Sequence, residues 1–192
     1  MTFNEWREKY GTLSLDEQVQ YHNVIETEYP EQAHYTYENV KKVLYKGATV
    51  LEFGTWKADL AQKAITEFNL SKWQGIEICS NAIEKTRCTL KEFSYIKPDK
   101  FDWWVNPLPN SDIIIATHFI EHLSNEHFEQ LVKVLKAKYI YFEAPLTELG
   151  EDWAGYVGTH KLKYGWNDVN KLMAEQGYKI THDFIEGKIY SL

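Results

Sequence analysis

Only two cysteines, Cys79 and Cys88, occur in 192 residues, and no second pair completes a metal-binding spacing or a disulfide framework. Both read as reduced structural thiols. Long apolar runs are missing as well: a stretch such as Ile113-Ile114-Ile115-Ala116 falls far short of the roughly 20 residues that cross a bilayer. The start, Met1-Thr2-Phe3-Asn4-Glu5, has neither the basic segment nor the apolar stretch that directs secretion, so a cytoplasmic protein without membrane contact is expected. Basic residues are in deficit, with 21 Lys plus Arg against 28 Asp plus Glu and a net charge of −7, which argues against a bulk grip on nucleic acid. Internal repeats and low-complexity tracts are absent. What is present is 44% hydrophobic and 15% aromatic content, enough for one domain burying roughly 70% of its extended-chain surface.

The first 47 residues read as a helical extension or cap, with a short helix around Asn4 to Tyr10. A second helix opens at Ser14-Leu-Asp-Glu17, where Ser14 and Glu17 can cap reciprocally, and stops at Pro30. A third runs from about Glu31 to Tyr45, with Gly47 as its left-handed end. From residue 48 to 192 β-rich runs alternate with amphipathic helical segments. Strands are predicted at 48–53, 73–78, 100–105, 112–117 and 138–144, and helices at about 57–68, 81–93 and 125–136. Such alternation predicts a parallel sheet with right-handed crossovers. The end departs from it: a helix around 167–176, closed by Gly177, precedes β-rich runs at 178–185 and 188–192 joined by Glu186-Gly187, a hairpin signal. An antiparallel hairpin is therefore expected to close an otherwise parallel α/β sheet.

Two sites in this pattern carry chemistry. Val50-Leu-Glu52-Phe-Gly54-Thr55-Trp56-Lys-Ala58 lies where the first strand turns into the first helix, at the carboxyl edge where open α/β sheets bind ligands. Gly54 permits a tight turn and close approach to a ligand, and the helix amides beyond favour an anionic group. A turn with no ligand is the plain alternative. Glu77 ends the second strand 23 residues after Gly54, where a carboxylate can accept both hydrogen bonds of a ribose diol.

With Gly75-Ile-Glu77, with Asp112-Ile-Ile-Ile-Ala-Thr-His-Phe-Ile-Glu-His-Leu123 and with the C-terminal hairpin, residues 48 to 192 resemble the class I S-adenosylmethionine-dependent methyltransferases. That resemblance implies an α/β, Rossmann-like, seven-stranded and mostly parallel sheet with an antiparallel C-terminal hairpin and helices on both faces, in agreement with the order read above, and S-adenosylmethionine as cofactor. Glu52, Gly54, Thr55 and Trp56 fall on the motif that cradles its methionine part, Glu77 on the ribose-binding acid, and Ile78 beside the adenine. Asn106, or alternatively Asp102, falls at the end of the third strand as a contact to the adenine amine, and Thr117 ends the fourth strand on the same edge. Trp56 and Ala58 stand where the family usually has glycine.

The implied reaction is methyl transfer to a small-molecule or otherwise exposed acceptor, with oxygen favoured over nitrogen. His118, His122 and His160 are the candidate catalytic groups, since histidine titrates near neutral pH. His118-Phe-Ile-Glu121-His122 also matches a zinc-peptidase string, but that chemistry needs both histidines on one helix, and here the string leaves a strand. It also resembles the Glu-x-x-Glu-His string with which some small-RNA 3′-terminal 2′-O-methyltransferases hold a divalent ion, His160 supplying the later histidine. A metal at His118, Glu121, His122 and His160 is possible on that likeness but not expected; a general base or a structural Glu-His pair is simpler. A cofactor-binding but non-catalytic module acting through a partner is the other alternative. The long connection from Pro145 to Gly165 contributes Trp153, Tyr156, His160 and Tyr164, with Trp166 just beyond, as pocket lining or as self-packing, and the N-terminal Tyr21, His22, Tyr29, Tyr35 and Tyr37 pose the same choice.

Overall fold

The computed structural model describes residues 36–97, 108–146 and 161–192. Seven strands form one sheet: β1 (Thr49–Phe53), β2 (Lys72–Ile76), β3 (Phe93–Ile96), β4 (Ile113–Thr117), β5 (Tyr139–Glu143), β6 (Lys179–Asp183) and β7 (Gly187–Ser191). Their spatial order is β3-β2-β1-β4-β5-β7-β6. The pairings from β3 to β5 are parallel, and those of β7 with β5 and β6 are antiparallel. The chain leaves β1 toward β2 and β3, then returns to place β4 on the other side of β1. The strand order thus reverses between β1 and β4, at whose carboxyl ends sheets of this kind bind ligands.

Period-two alternation divides the apolar residues between two faces. Val50, Trp73, Ile113, Ile115 and Tyr141 point to one face, where they meet Ala61, Ala64 and Ile65 of α1 (Asp59–Phe68) and Tyr37, Val40 and Val43 of the segment before the sheet. Leu51, Phe53, Ile114, Ala116, Ile140 and Phe142 point to the other. They are covered by Phe128, Leu131 and Val132 of α3 (Asn125–Val134) and by Trp166, Val169 and Met173 of α4 (Trp166–Glu175). Ser124 caps α3 by accepting the His127 amide at 3.2 Å. No helix among the described residues is long and apolar enough to cross a membrane.

The structure corrects the reading of 81–93. The helix there, α2 (Ser80–Glu84), stops after five residues, and Phe93–Ile96 forms β3, paired in parallel with Trp73–Ile76. The Thr86-Arg87-Cys88-Thr89 stretch is rich in weak helix formers, while Phe93 and Tyr95 gain an edge-to-face contact at 4.8 Å on the sheet. The strand expected at 100–105 lies outside the described residues, as do the first two predicted helices. Tyr37 is core: it is buried under α1, and its hydroxyl donates to Glu67. Tyr164 packs on Phe128 and donates to Glu129, and Trp166 is buried, so both bind the end of the long connection to its own domain.

Candidate functional site

Beyond β1 the chain turns at Gly54 (φ 70°), and left-handed backbone recurs at Trp56 (φ 51°) and Ala58 (φ 61°) before α1 begins. For residues with a side chain this conformation costs roughly 1–2 kcal/mol each. The three positions are those of the glycine pattern, so the loop geometry persists where two of the glycines do not. The Gly54 amide donates to the Ile76 carbonyl at 2.9 Å, which fastens the turn to the end of β2. Thr55 is buried; its hydroxyl donates to the Glu52 carbonyl at 3.1 Å. It packs so closely on Gly75 that a Cβ there would lie 2.3 Å from Thr55 Oγ1. Thr55 thus shapes the turn from within.

Glu77 follows β2 and is 6% exposed. Its Oε2 accepts the Trp56 amide at 2.8 Å and its Oε1 the Cys79 amide at 2.7 Å. Burial raises its pKa, opposed by the amides of Cys79, Trp56 and Ile78. A carboxylate has about four acceptor positions, and these amides do not fill all of them. Ile78 beside it is half-buried, as is Thr117, which stands opposite Glu143 at the end of β4. Asn106 and Asp102 lie outside the described residues.

Glu52 is only 2% exposed, and its Oε2 accepts the Trp73 indole N–H at 3.0 Å. Burial pushes its carboxyl up to about 8 against the hydrogen bonds from Trp73 and Thr55, and the charge of Glu77 pushes the same way. A pKa raised on folding stabilises the native state fully below the ordinary carboxylate range, and that contribution is lost as pH rises through about 8. Glu52→Gln keeps a neutral acceptor for Trp73. Wild-type melting temperature is expected to fall between pH 5 and 8, with Glu52 contributing on the order of a few kcal/mol in stability; Glu52→Gln removes that share in circular dichroism melts and leaves the fall that the raised pKa of His118 contributes above about pH 6.5.

The second half of the site lies at the ends of β4 and β5. His118 adopts left-handed backbone (φ 47°), and its amide donates to the Glu143 carbonyl at 2.7 Å. A single 3₁₀ turn, Ile120–His122, follows. The His118 ring lies between two buried carboxylates, with Nδ1 3.5 Å from Glu121 Oε1 and Nε2 3.3 Å from Glu143 Oε1. Burial opposes the imidazolium, but the hydrogen bonds and charges of Glu121 and Glu143 outweigh it and push His118 up to about 10. His118 is therefore a cation at neutral pH. Glu121 Oε1 is also 4.0 Å from His122 Nε2. Glu143, with 0% exposure, further accepts the Thr36 hydroxyl at 2.6 Å and the Tyr141 hydroxyl, while the Asn39 amide donates to Tyr141 at 3.2 Å. The amides of Lys161 and Leu162 donate to the Glu121 carbonyl at 2.8 and 3.1 Å, bringing the end of the long connection to this edge. His160 itself lies outside the described residues.

Sequence reasoning missed Glu143, Tyr141 and Thr36. The signal for Glu143 was the one that marked Glu77, an acid ending an apolar strand. The peptidase arrangement does not form, because His118 precedes the 3₁₀ turn and no α-helix carries both histidines. Both nitrogens of His118 face carboxylates, those of Glu121 and Glu143. Among the described residues no group of three or more His, Cys, Asp or Glu side chains is placed to hold an ion.

No family model and no curated protein sequence matches the chain. Solved structures do. The methyltransferase domain of bacterial CtHen1-C superposes with a TM-score of 0.63 at 14% identity, over 84% of this chain and 96% of that one. A SAM-dependent methyltransferase from Aquifex aeolicus gives 0.57 at 16% identity, over 85% and 98%. Human N-acetylserotonin methyltransferase in complex with SAM gives 0.56 at 14% identity, over 74% of this chain and 46% of that one. The chain has the class I S-adenosylmethionine-dependent methyltransferase fold: a seven-stranded, mostly parallel sheet closed by an antiparallel hairpin.

Proposed function

We propose that this chain transfers a methyl group from S-adenosylmethionine to a hydroxyl of a small or otherwise exposed acceptor. The observation that carries this reading is the left-handed turn at 54, 56 and 58, bonded through the Trp56 amide to the buried carboxylate of Glu77 at the reversal in strand order. In it, Glu77 accepts the ribose diol, Ile78 lies beside the adenine, and the backbone of Gly54 to Trp56 borders the methionine part. When bound, the cofactor supplies an electrophilic methyl group and a thioether leaving group. The protein's work is then to hold an acceptor in line and to take its proton.

His122 is the better base. Its ring is half-buried at the carboxyl edge beside Glu121, whereas both nitrogens of His118 face carboxylates and its ring is charged. In this arrangement the acceptor hydroxyl gives its proton to His122 as its oxygen bonds to the methyl carbon. Glu121 steadies the imidazolium so formed, and His118 offsets the charge of Glu121. His160 enters the chain just before the Lys161 amide that bonds Glu121, and it is the alternative base. Titration calorimetry of the purified chain with S-adenosylmethionine and its demethylated product is expected to show one site for each. No binding by a chain whose circular dichroism shows it folded would overturn the reading.

A second reading rests on Trp56. A tryptophan in the cofactor turn suits a module that holds the cofactor and acts through a partner; turnover of any acceptor by the isolated chain excludes it.

A further inference from the structure

Glu52, Gly75 and Tyr95 are register partners on β1, β2 and β3, and therefore share one face of the sheet. Gly75 leaves this row without a side chain, and Thr55 fills the space above it. Across that gap the Tyr95 hydroxyl donates to the carbonyl of Trp56. On its other side Trp56 donates its amide to Glu77 Oε2 at 2.8 Å. The next carbonyl, that of Lys57, accepts the Thr86 hydroxyl at 2.9 Å. We infer that Tyr95 is a positioning residue for the cofactor turn: with Glu77 it clamps Trp56 on both sides and holds a tryptophan in left-handed backbone that glycine would adopt unaided.

Two features make the clamp specific to this chain. A glycine at 56 would need no such hold, because left-handed backbone carries no side-chain penalty for it. The phenol also stays a donor, since burial, with the charges of Glu77 and Glu52, raises its pKa. Tyr95 need not touch the cofactor. It acts by keeping the peptides on either side of Trp56 oriented and, through the Trp56 amide, by keeping Glu77 aimed.

The inference rests on the cofactor-binding reading, and the test separates the two. Wild type, Tyr95→Phe, Trp56→Gly and the double variant are compared by urea unfolding without ligand and by calorimetric titration with S-adenosylmethionine. Tyr95→Phe is expected to lower the folding equilibrium constant about five- to tenfold in both backgrounds, the worth of one hydrogen bond to a main-chain carbonyl that glycine at 56 keeps. Cofactor affinity separates the backgrounds: it is expected to fall about five- to tenfold in Tyr95→Phe, where tryptophan is released from its strained backbone, and by less than twofold when Tyr95→Phe is made in Trp56→Gly. Equal losses of affinity in both backgrounds, or none in either, would overturn the clamp. If wild type binds no cofactor, the function proposed above fails, and ligand-free unfolding still tests the hold, which unchanged stability of Tyr95→Phe would overturn.

Discussion

Glu77→Ala is expected to weaken binding of S-adenosylmethionine about 100-fold or more, because a ribose diol loses two hydrogen bonds to a charged acceptor, each worth about 1.5–3 kcal/mol. The substitution also releases the amides of Trp56 and Cys79, which now share the carboxylate. The cofactor turn then loses one of its two holds on Trp56, so the loss should exceed that from removing a ligand contact alone. Glu77→Gln is the sharper comparison. Its amide oxygen can replace one carboxylate oxygen, but its NH₂ must face either a backbone amide or the diol, so affinity should fall between wild type and Glu77→Ala. Calorimetry on chains shown folded by circular dichroism checks both, and an affinity for Glu77→Ala within threefold of wild type would remove Glu77 from the ribose site.

The second large effect is on turnover. With an accepted substrate, His122→Ala should lower kcat by about 10²- to 10⁴-fold, the usual contribution of a positioned base, while the affinity for S-adenosylmethionine stays within twofold. The contrast arises from distance along the sheet edge: His122 belongs to the ends of β4 and β5, and Glu77 to the end of β2 on the other side of β1. His118→Gln should behave differently. Removing the cation leaves Glu121 and Glu143 buried without its charge, so melting temperature is expected to drop along with activity. A His122→Ala chain with wild-type kcat would pass the role of base to His160 or leave the reaction to proximity alone.

Much of this was readable from residues one after another. The hairpin at Glu186-Gly187, the helices with a buried stripe and the strands of alternating or continuous apolar residues are local patterns, and they reappear within a few residues of their expected limits. The strand-end places of Gly54 and Glu77 were readable for a related reason, since both follow from where the first two strands stop. The third strand was not. Its four residues follow a stretch whose apolar positions also suit a helix, and only pairing with Trp73–Ile76 makes Phe93–Ile96 extended.

By itself the sequence determined the class of the fold, the hairpin that closes the sheet and the strand-end places of Gly54 and Glu77, because each depends on periodicity and spacing within a short stretch. Tertiary structure alone decided the state of His118, the reach of Glu143 to Thr36, 107 residues away, and the left-handed backbone of Trp56. The physical reason is common to all three. A buried charge or a disfavoured backbone conformation persists only when partners from other strands compensate it, and which strands become neighbours is a property of the assembled sheet.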